Sequence, residues 1–267
     1  LGRRLVSGAA YLAMARRPLL RRLRARPVVA VIPVHGTITH AAGTFGGFST
    51  DERIARMVRI ARLHPRIRAA ILHVDSPGGS ALTSDRMHHE IAQLAREKPV
   101  VACMANVAAS GGYYVAAPAH RIVCEATTVT GSIGVVAARL GIEPLLAKLG
   151  VTTEVLKRGA RAGLLSPAQP LTEDERAAVR RELDATYRAF LGVVAAGRKR
   201  APEEIEPLAR GRVYTGEAAL AAGLVDALGG FDEAMREVRR MLPSEIRDRV
   251  VPRVVRLPRR PLPVLAP

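Results

Sequence analysis

Two short glycine-bearing loops, each following an apolar run, carry the residue types that acyl transfer needs. The first reads Ser76-Pro77-Gly78-Gly79 and the second reads Ser110-Gly111-Gly112. A serine that opens a helix places its hydroxyl beside unpaired backbone N–H groups, and glycine lets such groups approach a reacting atom closely. A nucleophilic hydroxyl beside donors for an oxyanion is the equipment of a covalent hydrolase. Ordinary turns between strands and helices also favour glycine and serine, so the loops alone leave that interpretation open.

The histidines do not supply an obvious base for this serine. A Ser–His–Asp triad needs a histidine near Ser110, and only His73, which shortly precedes the first loop, is worth considering. The alternation of side chains along a strand could direct His73 toward this edge or away from it. We therefore expect His73 to be a structural histidine, and we expect Asp75 and Asp85 to cap turns or helices.

The other histidines and the two cysteines are not spaced like the ligands of a metal site. His88 and His89 precede Glu90, but no HExxH pattern follows, and adjacent histidines on a helix do not face one site. The two cysteines, Cys103 and Cys124, lie in apolar runs and are expected to be buried thiols, although the sequence leaves a disulfide between them open. The sequence predicts neither a metal nor a cofactor.

Strand-like and helix-like segments alternate around these loops. Apolar runs at 27–39, 68–75, 98–107, 121–126 and 152–159 are expected to form strands. Helices are expected at 51–64 with Asp51 as N-cap, at 83–97 with Thr83 or Ser84 as N-cap, after Ser110, and at 142–149. This alternation predicts an α/β fold with a mostly parallel sheet covered by helices on both faces. Both glycine loops should then lie at the carboxyl edge of the sheet, where ligands bind.

The C-terminal part is more helical. Thr172 and Glu175 form a capping-box pattern at the start of a long helix over 172–200. The length of this helix suggests that it extends away from the core. Prolines and arginines dominate 243–267, which we expect to be an extended tail. The predicted organisation is a basic leader or linker at 1–26, one domain at 27–242 and the tail.

The strong positive charge lies in the termini. The chain has 267 residues and a net charge of +17, but 1–26 is rich in arginine without any acid, and 247–267 is again rich in arginine. The part between them is close to neutral, and aromatic residues make up only 3% of the chain, with no tryptophan. Nucleic-acid partners are therefore disfavoured. No uncharged run reaches the ~18–20 residues of a membrane span, although the basic segment 16–26 could lie on an anionic membrane surface or form a solvated linker.

Three longer blocks resemble the signal peptide peptidase family, SppA. They are "HVDSPGGSALTSD", "KPVVACMANVAASGGYYVAAPAHRIVCEATTVTGSIGVV" and "RGRVYTGEAALAAGLVDALGGFDEA". The resemblance implies the ClpP/crotonase fold, a spiral of ββα units, with a helical C-terminal extension. It also implies a serine peptidase with a Ser–Lys dyad. Carried onto this chain, Ser110 matches the nucleophile, Gly78 or Gly79 together with Gly111 matches the oxyanion hole, and Ser132 matches a serine that orients the lysine.

The lysine of the dyad is where this chain departs from the family. The resemblance places Ala162 where single-domain members carry the lysine, and no lysine occurs between Lys157 and Lys199. Arginine cannot act as the base because a guanidinium stays protonated in proteins. Lys157, expected at the end of a strand, would need a different loop path to reach Ser110.

Two explanations for the missing lysine remain. In the duplicated form of the family the nucleophile lies in the second repeat and the lysine in the first, and this chain most resembles the second half, so a missing repeat or a neighbouring subunit would supply the base. Alternatively, the chain is a degenerate homologue that acts in peptide binding or assembly. A crotonase-type acyl-CoA enzyme would share the fold, but an exposed serine at a helix start suits nucleophilic attack rather than enolate chemistry.

The family resemblance also implies partners and a location. The expected function is ATP-independent cleavage of signal peptides or other short apolar peptides by a homo-oligomer. The expected location is the bacterial inner membrane, with the catalytic domain on its extracytoplasmic side.

Overall fold

The protein is organised around a sheet of mostly parallel strands. The computed structural model describes residues 26–40, 47–255 and 257. The strands are β1 (Val28–His35), β2 (Thr37–Ile38), β3 (Phe48–Ser49), β4 (Ile67–Ser76), β5 (Val100–Ala109), β6 (Arg121–Cys124), β7 (Val129–Gly131), β8 (Val213–Thr215), β9 (Ala227–Leu228) and β10 (Val251–Val254). The main sheet has the order β10-β1-β4-β5-β6-β9, with β7 attached to β5 and β8 to β7. Strands β2 and β3 form a separate pair, and only β7 and β8 pair antiparallel among the described strands. The predicted α/β architecture is confirmed.

Helices cover both faces of this sheet. They are α1 (Asp51–Leu63), α2 (Ala81–Glu97), α3 (Gly111–Ala116), α4 (Glu143–Lys148), α5 (Glu173–Arg198), α6 (Pro202–Ile205), α7 (Gly216–Ala221), α8 (Phe231–Met241) and α9 (Ser244–Arg247). One core lies between the sheet and α1, α2, α3 and α5, and a second, smaller core lies under α8. No helix in the described ranges has both the length and the apolar character needed to cross a bilayer.

The strand sequences explain the two cores. Successive side chains of β1 point to opposite faces, so that Ile32 enters the larger core and Val29 enters the smaller one. Both faces of β1 and β4 are covered, which is why these strands read as continuous apolar runs rather than as an alternation. Each fully buried aliphatic side chain contributes about 1.5–3 kcal/mol relative to an exposed one. The central strands, which end at the glycine loops, therefore contribute strongly to the stability of the fold.

Two helices begin earlier than the sequence patterns predict. The N-cap of α1 is Thr50, whose hydroxyl accepts from the Arg53 N–H, so Asp51 is the first helical residue rather than the cap. The N-cap of α2 is Ser80, not Thr83 or Ser84. Thr83 and Ser84 are buried in the first turn, because α2 starts directly beyond the Gly78–Gly79 loop. The capping box of α5, with Thr172 and Glu175, is confirmed.

Residues 135–171, here called the arm, leave the sheet after β7 and lead into α5. The predicted strand at 152–159 is wrong: 151–157 has no regular structure, since no neighbouring strand offers it a ladder of hydrogen bonds. The ends of the arm are held together by Arg139, whose guanidinium donates to the Ser166 carbonyl and, at 2.6 Å, to the Gln169 carbonyl. Helix α4 within the arm has no buried residue.

The segment after residue 242 begins with α9 and then joins the sheet. Residues 251–254, which the sequence analysis assigns to an extended tail, form β10 and pair in parallel with β1. Val250 and Val255 are buried on either side of this strand. The predicted tail thus contributes one strand to the sheet. Residues 1–25 of the predicted leader, and residues 256 and 258–267 of the predicted tail, lie outside the described part of the chain.

Asp226 offers a test of how the sheet is joined to α5. Its carboxylate accepts from the Ile122 N–H at 2.6 Å and from the Arg198 guanidinium at 3.0 Å, and the Arg198 side chain is only 5% exposed. We expect Asp226→Ala to lower the free energy of unfolding by about 3 kcal/mol, because it leaves a buried charge unpaired. Urea denaturation measures the loss. The exposed acid Asp232 in the first turn of α8 is the control, and an equal loss in Asp232→Ala would contradict the assignment.

Candidate active site

Ser110 lies between the end of β5 and the start of α3, at the carboxyl edge of the sheet. Its backbone has φ 52° and ψ −120°, a conformation that residues other than glycine rarely adopt. The Ser110 N–H donates to the Gly131 carbonyl at 2.9 Å, and the Ser110 carbonyl accepts from the Tyr114 N–H at 2.9 Å. Within the described ranges its hydroxyl makes no hydrogen bond. A strained turn therefore presents a partly exposed hydroxyl that is not held by a neighbour.

The end of β5 is displaced by a bulge that Asp75 stabilises. The register between β4 and β5 shifts at Asp75. The Asp75 carboxylate accepts from the Val107 N–H at 3.2 Å and from the Asn106 side-chain amide at 3.1 Å. These bonds satisfy a backbone group that the bulge removes from the ladder. Asp75 thus stabilises the backbone that leads to Ser110, whereas the sequence predicts that it caps a turn or a helix.

The backbone N–H groups of Gly79 and Gly111, near Ser110, have no hydrogen-bond acceptor in the described part of the chain. The loops that carry them are in contact: a Cβ atom at Gly78 would lie 2.6 Å from Gly111 N and 2.9 Å from Ser110 Cβ, and a Cβ atom at Gly111 would lie 3.4 Å from Gly79 N. The N–H of Gly78 itself donates to Ser76 Oγ at 3.1 Å. Of the three glycines expected at an oxyanion hole, Gly79 and Gly111 therefore offer free donors, while Gly78 allows the close approach.

A short strand supports the Gly78–Gly79 loop from the other side. The Ile38 N–H donates to the Gly78 carbonyl at 2.8 Å, and the Ser80 N–H donates to the Ile38 carbonyl at 2.9 Å. Since these bonds use groups of Gly78 and Ser80, the N–H and carbonyl of Gly79 point away from β2. A Cβ atom at Gly79 would lie 2.1 Å from the Ile38 carbonyl oxygen. Only glycine fits there, and its N–H is turned toward the side on which Gly111 lies.

The two tyrosines that follow the serine loop anchor α3. The Tyr113 hydroxyl donates to the Leu224 carbonyl at 2.6 Å, and the Tyr114 hydroxyl donates to the Asp85 carboxylate at 2.8 Å. Burial raises the pKa of both hydroxyls well above the ordinary tyrosine value, so both remain protonated donors. Asp85 is thus bound to α3 rather than capping a turn. The sequence signal for this anchoring was the pair of tyrosines directly after Gly111 and Gly112.

Ser132 lies beside Ser110 at the ends of two neighbouring strands. Ala109 pairs with Gly131 in the last register position of β5 and β7, so the next residue on each strand is a serine. Ser132 also has a positive φ of 48°, and its N–H donates to the Arg212 carbonyl at 2.7 Å. The structure thus brings together two residues that α3, β6 and β7 separate in the sequence.

Lys157 and Ala162 lie on the arm instead. Both are exposed. The Lys157 ammonium lies close to Gly163, where an added Cβ atom would be 3.6 Å from Lys157 Nζ, and its charge acts on Glu175 in the first turn of α5. Hydrogen bonds from Thr172 lower the pKa of the Glu175 carboxyl, and the positive charge of Lys157 lowers it further. An exposed lysine beside a carboxylate lacks the desolvation that a lysine base needs.

The other residues considered from the sequence have structural positions. His73 forms a hydrogen bond with His35, not with Ser110. Cys103 and Cys124 are free, buried thiols on the two opposite faces of the sheet, which excludes a disulfide between them. Within residues 26–40, 47–255 and 257, no group of three or more histidine, cysteine or acidic side chains is arranged to hold a metal ion.

The contact at Gly78 gives a prediction that does not depend on activity. Gly78 has φ +97°, and an added Cβ would collide with the backbone of Gly111. We expect Gly78→Ala to lower the free energy of unfolding by at least about 2 kcal/mol, from backbone strain and the forced separation of the loops. Thermal or urea unfolding measures this. Gly192→Ala is the control, because no atom lies within 4 Å of its Cβ position and alanine favours a helix interior; equal effects of the two variants would refute the close approach.

The sequence is similar to those of known peptidases. The family model of peptidase family S49 matches residues 92–242. The chain is 41% identical over 214 residues to the chloroplastic serine protease SPPA of Arabidopsis thaliana, covering 79% of this chain and 32% of that protein. It is 39% identical over 208 residues to Protease 4 of Salmonella typhi, covering 78% of this chain and 33% of that protein. The chain thus spans about a third of the length of these relatives.

A solved structure shows the same fold. A mutant of the 1510-N membrane-bound stomatin-specific protease superposes with a TM-score of 0.58 at 17% identity, over 88% of this chain and all of that one. The ClpP-like fold that the sequence resemblance implies is therefore confirmed. The matched family model covers more than half of the chain and includes β5, Ser110 and Ser132. On these grounds the chain belongs to peptidase family S49, as its resemblance to the SppA peptidases predicts.

Proposed function

We propose that this chain carries the nucleophile and the oxyanion hole of a serine endopeptidase. The observation that carries the proposal is the free hydroxyl of Ser110 beside the unpaired N–H groups of Gly79 and Gly111. Gly111 is buried, where an N–H without an acceptor is costly, whereas Gly79 is exposed to solvent. Keeping a hydroxyl and two donors free at one edge of the sheet is what acyl transfer requires.

The chemistry follows from these positions. The Ser110 hydroxyl attacks the scissile carbonyl carbon while a base removes its proton, and the N–H groups of Gly79 and Gly111 stabilise the negative charge on the carbonyl oxygen. Collapse of the tetrahedral intermediate releases the amine, which takes a proton from the protonated base, and leaves an acyl-enzyme. Water then repeats the attack and frees Ser110. A missing oxyanion donor typically costs about 10²–10³ in kcat.

The base in this proposal is a lysine from outside the segment that carries Ser110, Gly79 and Gly111. The chain contains four lysines, Lys98, Lys148, Lys157 and Lys199. Lys98 binds the carbonyls at the end of α1, and Lys157 lies exposed on the arm near Glu175. A lysine contributed by a further repeat or a neighbouring subunit, with Ser132 orienting it, would complete the dyad. Family members that carry their own lysine do so where this chain has the exposed Ala162.

The substrate is an extended, apolar peptide. On the side away from β2, Gly79 keeps both its N–H and its carbonyl free, so a peptide can add to this segment as a further strand. Short apolar peptides such as signal peptides match the family's implied substrates. Cleavage at the extracytoplasmic side of the inner membrane is the setting we propose, in keeping with a fold shared with a protease described as membrane-bound.

A second function is supported by one observation. The position expected to hold the lysine is Ala162, and the nearest lysine along the chain is exposed. A homologue that retains the peptide-binding edge without a base would bind peptides or join an assembly without cleaving them.

An active-site probe separates the two functions. We expect a fluorophosphonate to label the chain together with its lysine-bearing partner segment, and Ser110→Ala to abolish the labelling, because Ser110 is the proposed nucleophile. Ser244→Ala, which removes an exposed hydroxyl on α9, is the control and should label normally. Absence of labelling in the complete parent protein, with bound peptide still detected by fluorescence anisotropy, would establish the binding function instead.

We further propose that the chain assembles with copies of itself through the arm. Eight large aliphatic side chains of the arm are exposed, namely Val136, Leu140, Leu145, Leu149, Val151, Val155, Leu156 and Leu165. A concentration of this size marks an interaction surface. Arg161 is paired with Asp174 at 2.7 Å, and Arg139 donates to carbonyls of the arm itself. A second copy would offer the same apolar surface and cover these side chains.

Oligomer formation is testable with exposed leucines. Leu140 and Leu149 are 76% and 67% exposed, so the double change Leu140→Ser and Leu149→Ser should leave the fold intact and shift the mass measured by light scattering toward the monomer. Leu63→Ser on α1, 68% exposed, is the matched control and should not change the mass. A parent chain that is monomeric at micromolar concentrations, or that floats with vesicles through these leucines, would overturn the proposal.

A further inference from the structure

The two oxyanion donors of the candidate site are carried by different helices. Gly111 is the first residue of α3, and Gly79 directly precedes Ser80, the N-cap of α2. Both N–H groups can bind one negatively charged oxygen only if the distance between them stays fixed during the reaction. The packing of α2 against α3 therefore sets a distance on which the proposed chemistry depends.

The first turns of these two helices are in contact. An added Cβ atom at Gly111 would lie 2.4 Å from Ser84 Oγ, and Ser84 Oγ donates to the Ser80 carbonyl at 2.9 Å. Ser84 is buried, so its side chain limits how closely α3 can approach α2. Steric repulsion of this kind sets a minimum separation of the helices, and an attractive contact is needed to set a maximum.

A hydrogen bond between Tyr114 and Asp85 supplies this attraction. The Tyr114 hydroxyl donates to Asp85 Oδ1 at 2.8 Å, and no other hydrogen bond joins α2 to α3 in the described part of the chain. Hydrogen bonds from a hydroxyl to a carboxylate are stronger than those between neutral groups. Tyr113, in contrast, connects α3 to the Leu224 carbonyl, which lies outside α2.

The Tyr114–Asp85 bond lies one turn behind both donors. The Tyr114 N–H donates to the Ser110 carbonyl, and the N–H of Ser84, next to Asp85, donates to the Ser80 carbonyl. A single turn of helix is rigid because its backbone hydrogen bonds fix it. A change in helix spacing at the Tyr114–Asp85 bond therefore changes the spacing of the two oxyanion donors.

The tyrosine ring is held on two sides. The His88 ring of α2 meets it edge-on, with centroids 5.4 Å apart and planes at 81°, and the Phe190 ring of α5 lies 4.8 Å away at 48°. Tyr114 is only 8% exposed, whereas Asp85 is exposed. The donor is thus fixed by packing, and its acceptor can be replaced without disturbing the core.

We propose that the Tyr114–Asp85 hydrogen bond sets the separation of the Gly79 and Gly111 N–H groups, which makes Tyr114 and Asp85 positioning residues of the peptidase. This inference rests on the proposed function. The two side chains act on the reaction through α2 and α3 rather than by contact with the substrate. Without their bond, Ser110 and both donors remain present, but the donors no longer converge on the oxyanion. The covalent step should then slow while binding is unchanged.

The kinetics of labelling by a fluorophosphonate test this role in the complete parent protein. At saturating probe, we expect the labelling rate constant of Tyr114→Phe to fall at least about tenfold, because a misplaced oxyanion donor no longer stabilises the transition state. The probe concentration that gives half the maximal rate should change by less than about twofold. An opposite result, with the half-maximal concentration changed and the maximal rate unchanged, would contradict a positioning role.

Variants of Asp85 separate the hydrogen bond from other effects of the tyrosine. Asp85→Ala should slow labelling as much as Tyr114→Phe, and the double variant should be no slower than either single variant, because all three lack the same bond. Asp85→Asn keeps a side-chain oxygen that accepts from the hydroxyl, so it should restore labelling to near the parent rate. Additive losses in the double variant, or an Asp85→Asn variant as slow as Asp85→Ala, would refute the proposal.

The matched control is Tyr187→Phe. The Tyr187 hydroxyl also has a hydrogen-bond partner, the Arg210 N–H at 3.2 Å, but Tyr187 lies on α5 rather than on α2 or α3. This variant should be labelled like the parent, even where its melting temperature falls as far as that of Tyr114→Phe. Equal slowing in the two variants would show a general loss of stability and refute the positioning role.

The parent protein separates the two levels of the argument. A parent that is labelled, together with a Tyr114→Phe variant labelled at the same rate, would overturn the positioning role and leave the proposed function in place. A parent that is not labelled would overturn the proposed function and, with it, the inference that rests on it.

Discussion

The candidate catalytic edge of this protein depends on the close approach of two backbone segments, Gly78 and the Ser110–Gly111 peptide. No side chain fits between the two loops, since an added Cβ would lie 2.6 Å from the Gly111 nitrogen. The approach is possible because β4 and β5 are adjacent and parallel, so that their carboxyl ends meet at one edge. The bulge at Asp75, strand β2 and the tyrosines of α3 all act to maintain it. Strain at Ser110 is then sustained by the surrounding packing.

The body of the fold and the arm differ in how completely they are packed. Strands β1, β4 and β5 are buried on both faces, whereas α4 has no buried residue and the arm displays leucines and valines. Within the described residues, the Ser110 hydroxyl has no hydrogen-bond partner and the aliphatic side chains of the arm are exposed. The proposal that a second chain or repeat completes the site would account for both features.

Most of the fold was predictable, because its signals are local. The run 68–75 and the alternating pattern of 51–64 are apolar at the periods of a strand and a helix, and both elements are present. The capping box of Thr172 and Glu175 was also predictable from two residue types at one spacing. The strand expected at 152–159 is absent because strand formation depends on a partner that local sequence cannot supply. The N-cap of α2 was misplaced for a similar reason, since Ser80 is selected by the pairing of Gly79 with Ile38.

By itself, the sequence determined the α/β class, the two glycine loops, the serine that opens α3 and the absence of a lysine at position 162, because these depend on residue identity and short-range periodicity. Only the tertiary structure decided which glycine N–H groups remain free, that Ser132 lies beside Ser110, and that His73 faces His35 instead of the serine. Those outcomes depend on strand register and on which partner each polar group finds. Contacts between residues distant in the chain set both, and no pattern within a single segment contains them.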